Sequence, residues 1–182
     1  HGTFTAPDGT KIGVFGLATP ETATKAHPGK IKGITFDGGE TLYAVAQAQV
    51  DALKADGCTY IIALGHLGID DETAATANRS IDLLEKVTGI NVFIDGHSHS
   101  TLEQIVEKTN ETRTVNGTVL TSTGTKLANI GVVTIKDGAI TTECVDASAI
   151  TVAEDDPVAA RAAEIVAEVE AEYGAVFATT EV

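Results

Sequence analysis

Apolar runs and helical patterns alternate along the first half of the chain. Three short apolar stretches predict core strands: Lys11–Leu17, Tyr60–Leu64 and Val92–Ile94. The continuous run Tyr60–Leu64 is of the kind found in parallel sheets buried on both faces. Between the first two, apolar residues recur at helical spacing over residues 39–55, and Gly57 follows as a stop signal. The apolar positions of this predicted helix are Leu42, Val45, Ala46, Val50 and Leu53. The alternation predicts a mainly parallel sheet with helices packed on it and right-handed crossovers.

A second helix is predicted between the second and third strands. Asp70 or Asp71 can cap it, and Glu72 falls in its favourable first turn. Its apolar face carries Ile81, Leu84 and Val87, and Gly89 ends it.

Two further features are predicted before residue 39. Pro7-Asp8-Gly9 is a turn signal that predicts a hairpin into the first strand. Residues 18–38 are predicted to form a long surface loop.

The pattern changes after residue 100. Alternation of Thr, Val and charged residues over 103–146, with turn signals at Asn116-Gly117 and Asp137-Gly138, predicts antiparallel strands and hairpins. A helix is predicted over Pro157–Tyr173, with Gly174 ending it, and residues 175–182 begin an apolar, Thr-rich strand. The predicted fold class is therefore α/β, with α+β character towards the C-terminal side.

Composition narrows the classes of partner. The 182 residues suffice for one ordinary domain, and 12 basic against 26 acidic residues give a net charge of −14. This balance argues against nucleic-acid backbones and anionic membranes as partners. An acidic enzyme acting on anionic substrates needs local cations, which a metal centre supplies. The sequence shows no signal peptide or membrane anchor, and the lack of Met fits a piece of a longer polypeptide.

Cys58 and Cys144 match no zinc-ligand spacing. We expect them to be packed as small apolar residues rather than joined in a disulfide.

Three histidines follow two of the predicted strands. His66 comes directly after one strand, and His97 and His99 follow the next, after a turn at Gly96. If the backbone stays extended there, His97 and His99 project to the same side. The carboxyl ends of parallel strands meet at one edge of a sheet, so the three imidazoles are expected to converge on a metal such as Zn, Mn, Fe, Co or Ni. His27, beside a proline in the long loop, is expected to be exposed.

Two segments carry a resemblance to a known family. Residues 63–70, ALGHLGID, and 89–100, GINVFIDGHSHS, resemble the 5′-nucleotidase and 2′,3′-cyclic-nucleotide phosphodiesterase family of calcineurin-like metallophosphoesterases. Residues 11–21 are similar to the family's strand and loop KIGVxGLxTPE, and residues 174–180 to the opening strand of its C-terminal nucleotide-binding domain. The resemblance covers most of the chain.

The resemblance implies half of a four-layer αββα sandwich. Residues 1–150 would be the C-terminal half of the metallophosphoesterase domain, and residues 151–182 a linker helix and first strand leading to a nucleotide-binding domain. By the same resemblance, His66 and His97 would bind the second metal of a two-metal centre and His99 the first. The family's Asp-x-His, bridging Asp and Gly-Asn-His-Glu motifs do not occur here, so no catalytic residue is assigned.

The implied activity belongs to a longer parent protein. It would be an extracellular, periplasmic or cell-wall hydrolase in nucleotide catabolism, with two divalent metals that activate a water against nucleotide phosphate esters, and this chain alone would be inactive. The missing N-terminal half and C-terminal domain would be its partners. Two alternatives stay open: a non-catalytic module that holds one metal with three histidines, and an adhesion or scaffold domain in which the histidines are incidental.

Overall fold

The computed structural model describes residues 1–70, 77–153, 155–174 and 179. They form two compact units, His1–Ala147 and Ser148–Val182. The strands are β1 (Gly2–Thr5), β2 (Lys11–Ala18), β3 (Tyr60–His66), β4 (Val92–Ile94), β5 (Thr114–Val115), β6 (Thr118–Thr121), β7 (Asn129–Lys136) and β8 (Ala139–Asp146). The α-helices are α1 (Thr22–Lys25), α2 (Gly39–Ala55), α3 (Ser80–Lys86), α4 (Leu102–Lys108) and α5 (Pro157–Tyr173). Two 3₁₀ turns span Pro28–Lys30 and Ala147–Ala149.

A six-stranded mixed sheet organises the first unit. Its strand order is β1-β2-β3-β4-β6-β5, and β2, β3, β4 and β6 run parallel to one another. β1 pairs antiparallel with β2, as the turn at Pro7-Asp8-Gly9 predicts. The hairpins β5–β6 and β7–β8 turn at Asn116-Gly117 and Asp137-Gly138, which confirms both turn predictions. The predicted α/β class with antiparallel hairpins and a C-terminal helix is therefore confirmed.

One face of the parallel sheet is buried under helices. Phe15, Ala63, Phe93 and Leu120 lie side by side across β2, β3, β4 and β6, and each is at most 2% exposed. Helix α2 adds a second row to the same core: Leu42, Tyr43, Ala46, Val50 and Leu53. Val45, predicted to share that face, is instead 41% exposed, because it lies at the margin of the buried arc beside Ile34 and Phe36.

The opposite face of the sheet is more open. The next row across the strands contains Gly16, Leu64, Ile94 and Thr121. Gly16 is exposed, Leu64 is 48% exposed and Ile94 is half-buried. The continuous apolar run of β3, typical of strands buried on both faces, is thus covered on one face only.

Two predicted elements differ in the structure. The second helix begins at Ser80, with Arg79 as its N-cap, rather than near Asp70. Residues 77–79 form a turn with Ala77 in the left-handed region (φ 73°), and the amide of Ser80 donates to the carbonyl of Gly68, which sets the start. Residues 71–76, and with them Asp71 and Glu72, lie outside the described residues.

The stretch after residue 101, predicted as strand, begins with helix α4. Thr101 and Gln104 form a reciprocal capping box, in which each side chain accepts a hydrogen bond from the other residue's amide. This Thr-x-x-Gln pattern is a helix-start signal, and it outweighs the local strand propensity because Ile105 is fully buried against the sheet core.

The second unit contains α5, whose bounds match the prediction. Asp156 caps it by accepting from the amides of Val158 and Ala159, and Pro157 occupies the first turn. The strand predicted over residues 175–182 lies outside the described residues, apart from Thr179, which is in no strand. Among the described helices, none has the length and apolarity needed to cross a membrane.

The core row predicts a stability difference between two phenylalanines. Phe93→Ala removes a fully buried ring from the centre of the sheet and is expected to lower the free energy of unfolding by about 3 to 5 kcal/mol. Phe4→Ala, at a ring that is 63% exposed on edge strand β1, is the matched control and is expected to cost far less. Urea denaturation followed by circular dichroism measures both, and equal costs would contradict the packing described here.

Candidate functional site

His66 and His97 lie together at the carboxyl edge of the parallel sheet. His66 is the last residue of β3, and His97 follows β4 by three residues. Because β3 and β4 are parallel neighbours, with Leu64 paired to Ile94, both loops leave the sheet at the same edge. The two imidazole rings are 5.0 Å apart between centroids and tilted by 55°.

The Asp95 carboxylate joins the two histidine loops. One of its oxygens, Oδ1, accepts from the amide of Leu67 at 3.0 Å and from the amide of Gly96 at 2.9 Å. Leu67 directly follows His66, and Gly96 directly precedes His97, so one oxygen fixes the backbone beside both imidazoles. Asp95 is only 8% exposed, and its own amide donates to the carbonyl of Thr121 on β6.

A serine makes a second link between these loops. The hydroxyl of Ser98 accepts from the amide of Ile69 at 3.2 Å and lies 2.6 Å from the hydroxyl of Ser100. Gly68 permits this approach, because a Cβ there would lie 3.2 Å from the Ser98 Cβ and 3.4 Å from the His97 ring. The loops after β3 and β4 are therefore held together by contacts on both sides of His97.

The backbone at the histidine pair is not extended, so the premise of the predicted same-side projection of His97 and His99 is wrong. His97 has φ 78° and His99 has φ 54°, both in the left-handed region. The amide of Ser98 donates to the carbonyl of Gly96 at 3.1 Å, which closes a tight turn around His97. A turn of this hand is strained for a residue with a Cβ, and such strain is characteristic of functional sites.

The structure brings two of the three predicted ligands together. His66 and His97 line an open cavity of about 320 Å³, together with Thr19, Thr22, Lys25 and Ala26. His99 is not among the lining residues. In the described part of the chain, no three His, Cys, Asp or Glu side chains lie close enough to hold one metal ion. The assignment of His66, His97 and His99 as ligands remains a prediction.

Glu21 is a site residue that sequence reasoning missed. Its carboxylate oxygen Oε2 lies 3.3 Å from Nε2 of His97 and 2.6 Å from the ammonium of Lys25. The hydrogen bond from Lys25 lowers the pKa of the Glu21 carboxyl, and His97 lowers that pKa by a smaller amount. The Thr-Pro-Glu segment belonged to the family resemblance, but it carried no role until the fold set it beside His97.

The loop that carries Glu21 is anchored to the other histidine. The amide of Thr19 donates to the carbonyl of His66 at 3.0 Å, and the Thr19 hydroxyl accepts from the amide of Glu21 at 3.3 Å. Thr19 is 2% exposed. The loop after β2 is thus bonded to His66 through backbone and to His97 through a side chain.

The donor set suits a transition metal. Two imidazoles line one cavity beside a carboxylate, and imidazole nitrogen is a suitable ligand for Zn, Fe and Ni. A buried polar atom nearby lacks a hydrogen-bond partner among the described residues: Oδ2 of Asp95. Two imidazoles are fewer than the three or four ligands of a typical zinc site, so the described residues fit a metal in part.

The remaining candidates lie elsewhere. His27 is exposed, as predicted, and its Nδ1 accepts from the amide of Gly29 in a short 3₁₀ turn. Cys58 and Cys144 are half-buried free thiols. Neither belongs to the cavity that His66 and His97 line.

Two glycines test how tightly the loops meet. Gly68→Ala and Gly33→Ala each place a side chain at positive φ (79° and 83°), and each is expected to cost about 1 to 2 kcal/mol. A Cβ at Gly33 meets nothing within 4 Å, whereas one at Gly68 crowds Ser98 at 3.2 Å and contacts the His97 ring at 3.4 Å. Only Gly68→Ala is therefore expected to shift the His97 ring resonances in NMR spectra. If the His97 resonances are the same in both variants, residue 68 does not contact the His97 ring as described.

Relatives and solved structures provide independent comparisons. The chain is 37% identical over 109 residues to the trifunctional nucleotide phosphoesterase protein YfkN of Bacillus subtilis, a match covering 59% of this chain and 7% of that protein. It is 36% identical over 95 residues to a 5′-nucleotidase of Diplobatis ommata, covering 52% of this chain and 14% of that one. An NAD 5′-nucleotidase of Haemophilus influenzae matches at 34% identity over 93 residues, 50% of this chain and 13% of that protein. No protein-family profile matches.

A solved structure shares the fold of this chain. The crystal structure of the calcineurin-like phosphoesterase YfkN from Bacillus subtilis superposes with a TM-score of 0.68 at 20% identity, over 94% of this chain and 56% of that chain. The matched regions are a small share of each curated relative, at most 14% of its length. This chain is therefore similar in sequence to a part of a nucleotide phosphoesterase and of two 5′-nucleotidases, and similar in fold to a calcineurin-like phosphoesterase.

Proposed function

We propose that the protein to which this chain belongs is a metal-dependent phosphoesterase that hydrolyses nucleotide phosphate esters, in the manner of a 5′-nucleotidase. The observation that carries the proposal is that the imidazoles of His66 and His97, which follow neighbouring parallel strands, line one cavity. Their ring centroids are 5.0 Å apart. The names of three sequence relatives, a nucleotide phosphoesterase and two 5′-nucleotidases, supply the substrate class.

In this proposal His66, His97 and His99 are ligands to two divalent metal ions. When bound, the metals would bind phosphate oxygens and lower the pKa of a water so that it can attack phosphorus. The residues of this chain hold the ligands in place. Asp95 fixes the backbone beside His66 and His97, and Glu21 contacts the His97 ring.

The charge of the chain supports a cationic centre at this cavity. At a net charge of −14 the protein repels a nucleotide phosphate at long range. The cavity lining counters this with donor groups, since it includes the Lys25 ammonium, the Thr22 hydroxyl and the two imidazoles. Lys25 is already paired with Glu21, so metal charge is what would make the cavity attractive to phosphate.

Further parts of the protein would complete the site. Among the described residues, no three His, Cys, Asp or Glu side chains could hold one metal ion, and the chain corresponds to 56% of the calcineurin-like phosphoesterase chain that it superposes on. The open face of the sheet, where Leu64 is 48% exposed, offers an apolar surface next to the cavity residue His66. We propose that an N-terminal half of the same domain packs there and that a nucleotide-binding domain follows the linker helix α5.

Export to the periplasm, cell wall or exterior belongs to the same proposal. It rests on the location that is typical of the family that the chain resembles.

The experiment compares the parent protein with this chain alone. In the parent protein, His66→Ala and His97→Ala are each expected to lower the hydrolysis rate of a nucleoside monophosphate by orders of magnitude and to weaken metal binding, with little change in the free energy of unfolding. His27→Ala, at an exposed loop histidine, is the control and is expected to keep full activity. Phosphate release and metal content by mass spectrometry measure these effects.

Two outcomes would overturn parts of the proposal. Full activity of the parent His97→Ala variant would remove His97 from the site. Turnover of a nucleoside monophosphate by the purified 182-residue chain, abolished by His97→Ala, would show that the chain is active without further parts. Loss of folding of the chain on chelation would instead support a self-contained metal-binding module.

A further inference from the structure

The imidazole of His66 lies against a glycine of the neighbouring loop. Strands β3 and β4 are parallel and Leu64 pairs with Ile94, so two residues further along the chain His66 lies level with Gly96. A Cβ on Gly96 would lie 3.3 Å from Nδ1 of the His66 imidazole, which is closer than an ordinary van der Waals contact. The ring therefore reaches into space that a side chain at position 96 would take.

The backbone of Gly96 is held on both sides. Its amide donates to Oδ1 of Asp95 at 2.9 Å, and its carbonyl accepts from the amide of Ser98 at 3.1 Å. Asp95 is itself buried, and the same oxygen accepts from the amide of Leu67. The φ of Gly96 is not positive, so an alanine there carries no left-handed strain. The contact with His66 is what distinguishes alanine from glycine at this position.

The His66 ring is the partner that can move. Within the described part of the chain no hydrogen bond holds its imidazole, and its ring contact is with His97, at 5.0 Å between centroids. His66 also lines the open cavity of about 320 Å³. A side chain at position 96 is therefore expected to displace the imidazole while the backbone of both loops stays in place.

The other loop has the same relation to the other histidine. Gly68 follows His66 by two residues, and a Cβ there would lie 3.4 Å from the His97 ring. Each loop thus carries one histidine and has a glycine where the histidine of its neighbour lies. The contact at Gly96 is the closer of the two for an imidazole.

We infer that Gly96 is a positioning residue for the proposed phosphoesterase site: the absence of a side chain there allows the His66 imidazole to lie beside that of His97 at the cavity. The inference rests on the proposed function only for hydrolysis, and the packing role can be tested without it. A displacement of about 1 Å in a reacting site can lower a rate by roughly 100-fold, so the position of this ring matters for the proposed reaction.

The first experiment records the histidine ring resonances of the 182-residue chain by NMR. Gly96→Ala is expected to shift the His66 resonances. Gly29→Ala is the matched control, because a Cβ on Gly29 would also lie 3.3 Å from Nδ1 of an imidazole, that of the exposed loop residue His27, and the φ of Gly29 is not positive. It is expected to leave His66 unchanged. Unchanged His66 resonances in Gly96→Ala would overturn the inference.

The second experiment is a double-mutant cycle on the same chain, followed by urea denaturation. Gly96→Ala is expected to lower the urea midpoint in the wild-type background but not in the His66→Ala background, because the contacted Nδ1 is then absent. The gain that alanine brings by restricting the unfolded chain is common to both backgrounds. The same change of midpoint in both would overturn the inference. If Gly96→Ala does not fold, the double variant is expected to fold, and its failure to do so would have the same meaning.

The third experiment measures phosphate release from a nucleoside monophosphate by the parent protein. Gly96→Ala is expected to lower kcat by roughly 10- to 100-fold, and Gly29→Ala to keep the wild-type value. Full activity of Gly96→Ala with shifted His66 resonances would overturn the positioning role in the reaction. An inactive wild-type parent protein would overturn the proposed function instead, and the first two experiments would still decide whether Gly96 sets the position of His66.

Discussion

The arrangement at the sheet edge depends on one buried carboxylate. Asp95 Oδ1 accepts from Leu67 and Gly96, the residues next to His66 and His97 in the chain. Hydrogen bonds to a charged acceptor are worth more than neutral ones, and they are strongest where water is excluded. A loop after a strand end is ordinarily free to vary. Here two such loops share one acceptor, so the backbone next to both imidazoles is tied together.

The same edge concentrates local strain and close packing. The ring of Phe93, at the centre of the core row, occupies the space that a Cβ on Gly65 would fill. Because residue 65 is a glycine, the Phe93 ring can pack against the last residues of β3, next to His66. His97 holds a left-handed conformation that costs free energy for a residue with a Cβ. Packing beneath the site and hydrogen bonds around it offset this cost.

The candidate site also places hydrogen-bond donors on an acidic protein with a net charge of −14. Lys25 and His97 line the cavity, and both contact the Glu21 carboxylate. The ammonium of Lys25 thus offsets the negative charge of Glu21 beside the cavity. The proposed metal would then supply the net positive charge that the side chains lack.

The sequence by itself determined the elements whose signals are local. The spacing of Leu42, Ala46, Val50 and Leu53 predicted α2, and the Asn-Gly and Asp-Gly turns predicted both hairpins, because period and turn chemistry are properties of neighbouring residues. It also indicated that His66 and His97 share an edge, since parallel strands end together. Thr101 and Gln104 are a capping signal from which helix α4 could have been predicted. The strand-like composition of the following residues favoured a strand prediction instead.

Only the tertiary structure decided the contacts between distant segments. The start of α3 depends on the Gly68 carbonyl, and the turn at His97 depends on loops that meet only after the sheet has formed. Glu21 lies 76 residues from His97 in the chain, and no local pattern relates them. Periodicity encodes which residues are buried, but the pairing of side chains across strand ends depends on the register of the sheet and on the closure of its loops.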